Sequence, residues 1–169
     1  LSNLLSEWPN DAIGEENDSG VVPRRRAAVI NLSLGTPKPD RFLERILERA
    51  RTAGVVVVAA VGNEGNSSIT YPAAYASVIG VGATTIDRSV AEYSNFGAEI
   101  DLVAPGGDTT TDIDGNRKGD GILGPTRFGL RFIFSYYQGT SMATPHVSGV
   151  LGLMHLVNPN ASARETRDY

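Results

Sequence analysis

The chain has 169 residues, 41% of them hydrophobic and 20% charged, with a formal net charge of −4; this composition closes one core of ordinary domain size and excludes disorder as the ground state. With no cysteine there are no disulfides, thiolate metal sites or cysteine nucleophile. The single dense basic run, Arg24-Arg25-Arg26, has no interleaved aromatic residues, and the longest apolar run, 53–62, is about half the ~20 residues of a membrane helix, so neither nucleic acid nor membrane is expected as a partner.

Residues 1–26 show no sustained period apart from a short helix around 4–8 and read as a poorly specified lead-in; with Leu1 as first residue and no signal-peptide pattern, the sequence reads as part of something longer. The run 27–34 (AAVINLSL) is apolar and β-branched until Gly35 breaks it, as a strand buried on both faces would be. Asp40 then opens a helix in which Phe42, Leu43, Ile46, Leu47 and Ala50 share one stripe, with Gly54 placed to end it. A second apolar strand at 55–61 follows, and strand, helix, strand in this order predicts a parallel sheet with a right-handed crossover. Short strands are expected at 77–84 and 100–104, a polar glycine-rich loop at 108–125, and a strand or hairpin at 128–137. The stretch 142–157 is apolar almost all round and predicts a central helix buried by its neighbours, stopped at Asn158-Pro159. The fold class is α/β: three layers, with a mostly parallel sheet flanked by helices.

Ser141 falls at the start of that last helix, where unpaired backbone N–H groups and the positive dipole end favour a developing negative charge. Serine is also an ordinary capping residue, so position alone does not make it a nucleophile. The surrounding letters decide further. GTSMATPHVSGV, from Gly139, resembles the active-site serine segment of the subtilisin-like serine proteases. Three more resemblances follow in the family's order: INLSLG (30–35) looks like its substrate-binding strand, VVVVAAVGNEG (55–65) like the strand and loop of its oxyanion-hole asparagine, and YPAAYASVIGVGAT (71–84) with DLVAPGG (101–107) like the strands between.

The resemblance covers roughly residues 27–160 and implies a serine endopeptidase acting on peptide or protein substrates. Ser141 would be the acylating nucleophile, and the side-chain amide of Asn63 with the Ser141 N–H would hold the oxyanion. Ser33, Leu34 and Gly35 would pair with an extended peptide, while Ala60, Val61 and Gly62 would line the pocket for the residue before the scissile bond. Thr70 stands where many relatives have glycine at the pocket floor. Read without the family, Asn63 also suits a turn before Glu64-Gly65, and 33–35 a plain strand-to-loop connection. Secretion is a family-level expectation.

Such a protease activates its serine through a histidine oriented by an aspartate, in the chain order Asp, His, Ser. The two histidines here, His146 and His155, both follow Ser141, on the same predicted helix, and read as packing residues. The G-x-S-x-G elbow of α/β-hydrolases does not fit either, because Ala143 replaces the second glycine and too little chain follows to supply an acid and a histidine. The expectation is therefore a single partial domain over 1–169, the carboxy-terminal portion of a catalytic domain incomplete on its amino-terminal side. The missing amino-terminal part, carrying Asp and His, would be its partner, and the chain alone would be inactive. A non-catalytic peptide-binding pseudoprotease is the alternative.

Between the strands, Asp112, Asp114, Asn116 and Asp120 occupy positions 1, 3, 5 and 9 of a calcium loop, an oxygen-rich arrangement suited to a hard cation. Arg117 stands where such a loop takes glycine, and Leu123 where it takes glutamate. A structural calcium ion or a merely solvated loop both fit this pattern.

Overall fold

The computed structural model describes residues 27–158, so the helix expected around 4–8 lies outside the described residues. The elements are β1 (Val29–Leu32), α1 (Arg41–Thr52), β2 (Val56–Ala60), β3 (Ile79–Thr84), β4 (Leu102–Pro105), β5 (Ile122–Phe128), β6 (Arg131–Tyr137) and α2 (Thr140–Val157). Strands β1-β2-β3-β4 form one parallel sheet in that order, in register Val29↔Val56, Val58↔Ile79 and Val81↔Leu102, and β5 pairs antiparallel with β6.

The sheet is the middle of three layers because β2 is apolar on both faces. Val56 and Val58 pack with Ala143, Val147 and Leu151 of α2, while Val57 and Ala59 pack on the other side with Leu47 of α1. Each buried valine contributes on the order of 1.5–3 kcal/mol relative to exposure, so this doubly covered strand anchors the core.

Local chemistry fixes α1. Asp40 Oδ1 accepts from the Phe42 and Leu43 N–H groups at 2.8 and 3.2 Å, and Arg49 and Arg51 sit at the negative dipole end. Gly54 takes φ +84° just past the cap, the left-handed conformation that ends a helix at low cost.

Four features differ from the sequence expectation. β1 shrinks to four residues and is only partly buried, since it pairs on one side alone among the described residues. Phe42 is 69% exposed, because the stripe that meets β2 is centred on Leu43, Leu47 and Ala50. β5 starts at Ile122, inside the predicted loop: Gly124 and Pro125 weaken the local signal, but pairing of Leu123 with Tyr136 and Pro125 with Phe134 overrides it. Finally, among the described residues α2 is covered on one face only, leaving Val150, Leu153, Leu156 and Val157 exposed.

Candidate active site

The carboxyl ends of β1, β2 and β4 and the amino end of α2 meet at one place, the usual position for a site in a parallel α/β sheet. The start of α2 is set by Gly139, whose φ of 147° and ψ of 160° lie where a side chain is strained. Its N–H donates to Gly106 O at 3.0 Å and lies 3.1 Å from Tyr93 Oη; that phenol donates to Gly107 O at 2.7 Å. Burial raises the Tyr93 pKa, so the phenol keeps the proton it needs to donate. In the first turn of α2 the Ser141 N–H has no intrahelical acceptor.

Asn63, just beyond β2, is held by the residue before Ser141. The N–H and hydroxyl of Thr140, which is fully buried, both donate to Asn63 Oδ1, at 2.8 and 2.9 Å. A backbone N–H can only donate, so the atom it meets is the amide oxygen, and the NH₂ group of Asn63 is left facing away from Thr140 with both donors uncommitted to it.

Ser33 is tied to Ser141 for a reason visible in the helix. Pro145 lies within α2 and has no N–H, so the Ser141 carbonyl lacks its intrahelical donor. Ser33 Oγ supplies one at 2.8 Å, and the Ser141 hydroxyl reaches back to Ser33 O at 3.4 Å. Asn31 Nδ2 donates to Ser33 Oγ and Ser148 Oγ donates to Asn31 Oδ1, both at 3.0 Å, extending this polar chain along α2.

Ser33, Leu34 and Gly35 follow the end of β1 and are exposed, whereas Ala60 and Val61 are buried at the end of β2. Thr70 is bonded to the end of β2: its N–H donates to Val61 O at 3.0 Å and its hydroxyl to Ala60 O at 3.2 Å. A Cβ built on Gly35 would come within 2.9 Å of Thr70 Cβ, and one on Gly62 within 2.9 Å of Thr70 Cγ2, so the threonine side chain fills the space between the glycines. His146, expected as a packing residue, is instead exposed: its Nδ1 lies 2.8 Å from Met142 O in its own helix, and the ring is outside both core clusters.

In the loop after β4, Asp112, Asp114 and Asp120 each present a carboxylate oxygen, all within 4.8 Å of one another. Asn116 joins the loop differently: its Nδ2 donates to Asp114 Oδ2 at 2.7 Å and its Oδ1 accepts from Lys118 N at 2.9 Å. Thr140 and Tyr93 carry much of this geometry, and the sequence alone does not single them out. Their only local signal is a polar group beside glycine-rich turns.

These features define an α/β protein in which a helix start and three strand ends gather a serine hydroxyl, a fixed carboxamide and an open strand. A match to the subtilase family extends over residues 3–169, and the chain belongs to that family. It is 40% identical over 141 residues to subtilisin BL of Lederbergia lenta, covering 83% of this chain and 46% of that protein. It is 42% identical over 144 residues to a thermophilic serine proteinase of Bacillus sp. (strain AK1), covering 85% of this chain and 30% of that one. A protease of Pseudoalteromonas arctica superposes with a TM-score of 0.79 at 32% identity, over 93% of this chain and 47% of its own. The chain thus spans less than half the length of these relatives.

Proposed function

We propose that these residues form the carboxy-terminal portion of a serine endopeptidase domain that hydrolyses peptide bonds through an acyl-enzyme on Ser141. The Ser141 oxygen attacks the scissile carbonyl carbon as its proton passes to a histidine, held by an aspartate, that lies outside this sequence. The carbonyl oxygen takes up the charge and is met by the Ser141 N–H and the Asn63 NH₂ group. Collapse expels the amine, which receives the proton, and water then releases the acid by the same steps. The observation that carries this reading is the double donation from Thr140 to Asn63 Oδ1. It orients a dipole before any charge appears, which is what lowers the barrier without tightening ground-state binding. Covalent labelling tests it: a serine-directed phosphonate reacts with the complete domain at Ser141 and leaves this chain alone unmodified. A complete domain that resists labelling but binds peptide would instead be a pseudoprotease.

The missing amino-terminal part is the partner proposed for two surfaces. β1 has one open edge among the described residues, and Val150, Leu153, Leu156 and Val157 leave an apolar face on α2 that a soluble surface rarely carries unpartnered. The location proposed is extracellular, the family's setting.

Substrate would lie along Ser33, Leu34 and Gly35 as an added strand, with its side chain before the scissile bond directed between Gly35 and Gly62. Thr70 occupies that space, so the complete enzyme should cleave after Ala or Leu faster than after Phe or Tyr. Thr70→Gly should narrow or reverse that preference, read as a ratio of kcat/KM values on matched peptides. An unchanged ratio would contradict this placement.

The acidic loop fits a calcium ion held by Asp112, Asp114 and Asp120, with Asn116 beside them. Asp120 is 8% exposed, and its Oδ1 is buried without a hydrogen-bond partner, while Oδ2 accepts from Ile113 N at 2.6 Å. An orphaned buried carboxylate oxygen costs about 1–3 kcal/mol, and a cation removes both that penalty and the repulsion among the three carboxylates. Arg117 adopts φ +67°, the left-handed conformation that the loop's sixth position requires, so it fits without being glycine. Its strain is on the order of 1–2 kcal/mol. Calcium should therefore raise the melting temperature of the domain, Asp120→Asn should abolish that rise, and Arg117→Gly should stabilise the calcium-free form by about 1 kcal/mol. Calcium-independent melting of the parent domain would refute the site.

A further inference from the structure

We propose that Asn95 is a positioning residue for the reaction: it holds the loop carrying Asn63 through Glu64, an inference that rests on the oxyanion role proposed for Asn63.

Asn95 lies between β3 and β4, is 1% exposed, and spends its whole side chain on residues 61–68. Its Nδ2 donates to Ser68 O and Glu64 Oε2, both at 2.8 Å, with Val61 O at 3.2 Å. Its Oδ1 accepts from Glu64 N at 2.8 Å and faces Asn66 N at 3.4 Å, and its own backbone N–H donates to Gly62 O at 3.1 Å. Glu64 Oε2 in turn accepts the Asn63 N–H at 3.0 Å. Asn63 is thus clamped from two sides. Thr140 fixes the side-chain oxygen, and Asn95 through Glu64 fixes the main chain from which that side chain extends.

The close approach explains Gly62. Its φ is +112°, and a Cβ there would collide with Asn95 Nδ2 and come within 2.7 Å of Glu64 Oε2. The glycine before Asn63 therefore makes room for the amide of Asn95. Neighbouring backbone bonds, Gly65 N to Tyr93 O at 2.9 Å and Phe96 N to Asn66 O at 3.0 Å, lash the same two loops together. A catalytic amide must be held within roughly 0.5 Å of its productive position, and exposed residues such as Asn63 and Glu64 do not achieve this unaided.

The test compares Asn95→Ser and Glu64→Ala with the parent complete domain, each also combined with Asn63→Ala. Because Asn95 is buried and its variant is the one at risk of misfolding, the exposed Glu64 supplies the second probe, with melting temperature monitored for both. On a peptide with a neutral residue before the scissile bond, each single variant should lower kcat about tenfold or more, with KM changed less than about threefold. In the Asn63→Ala background the same changes should cost less than about twofold, because the group they position is gone. Glu64→Gln, which keeps an acceptor oxygen, should recover most of the loss. In the Ser141→Ala domain, amide exchange at Asn63 should quicken at least about tenfold on Asn95→Ser. Equal losses of kcat in both backgrounds, or unchanged exchange at Asn63, would overturn the proposal. Should Asn63→Ala alone leave kcat intact, it is the oxyanion reading that fails, and the exchange rates still report whether Asn95 holds the loop.

Discussion

Ser141→Ala in the complete catalytic domain should abolish phosphonate labelling and lower kcat by about 10⁶-fold, the size of loss known for the nucleophile of subtilisin and not a value obtained from this structure. No neighbouring group replaces it. Ser141 Oγ has Ser33 O at 3.4 Å, and Ser33 Oγ is committed to the Ser141 carbonyl at 2.8 Å, so Ser33 is held as a donor to the helix. The fold should survive, since Ser141 is only partly buried and alanine keeps the carbonyl that Ser33 bonds. Turnover that persists in the variant would move the chemistry elsewhere.

Asn63→Ala should lower kcat by about 10²–10³-fold with little change in KM, again by analogy with the corresponding loss in subtilisin. The donor engages charge that exists only in the transition state, so its removal leaves ground-state binding nearly untouched. Asn63→Asp separates orientation from donation. A carboxylate still accepts the Thr140 bonds at 2.8 and 2.9 Å but has nothing to donate, and it adds a negative charge facing the oxyanion. Its loss of kcat should be at least as large as alanine's. A fall in kcat/KM carried mainly by KM, in either variant, would instead mark Asn63 as a ground-state binding residue.

Much of the fold is legible because its causes are local. The Asp40 cap, the stripe of Leu43, Leu47 and Ala50, and Gly54 all lie in the one stretch 40–54, and α1 forms between them as expected. The valine run of β2 is apolar on both faces, which is enough to place it in the middle of three layers. β5 was hidden because glycine and proline are poor strand formers, and only its aromatic partner strand makes it regular. The apolarity of α2 shows that it is to be covered, yet carries no address for the cover, and Val150 and Leu153 remain exposed.

The site divides in the same way. The aspartates of the acidic loop stand out by residue type and spacing, whereas Ser141 and Asn63 stand out through the family resemblance of the segments that carry them, since alone each also reads as a cap or turn residue. How the amide of Asn63 is turned is a different matter. That is decided by Thr140, 77 positions away, and the loop beneath it is shaped by Asn95, 31 positions from Glu64. Threonine and asparagine in turns carry no local mark of such duties. By itself the sequence determined the order of the parallel strands and the two helices, and the family. The tertiary structure alone decided the orientation of the reactive groups, because a hydrogen bond aligns a dipole only when folding has brought distant polar groups within about 3 Å of one another.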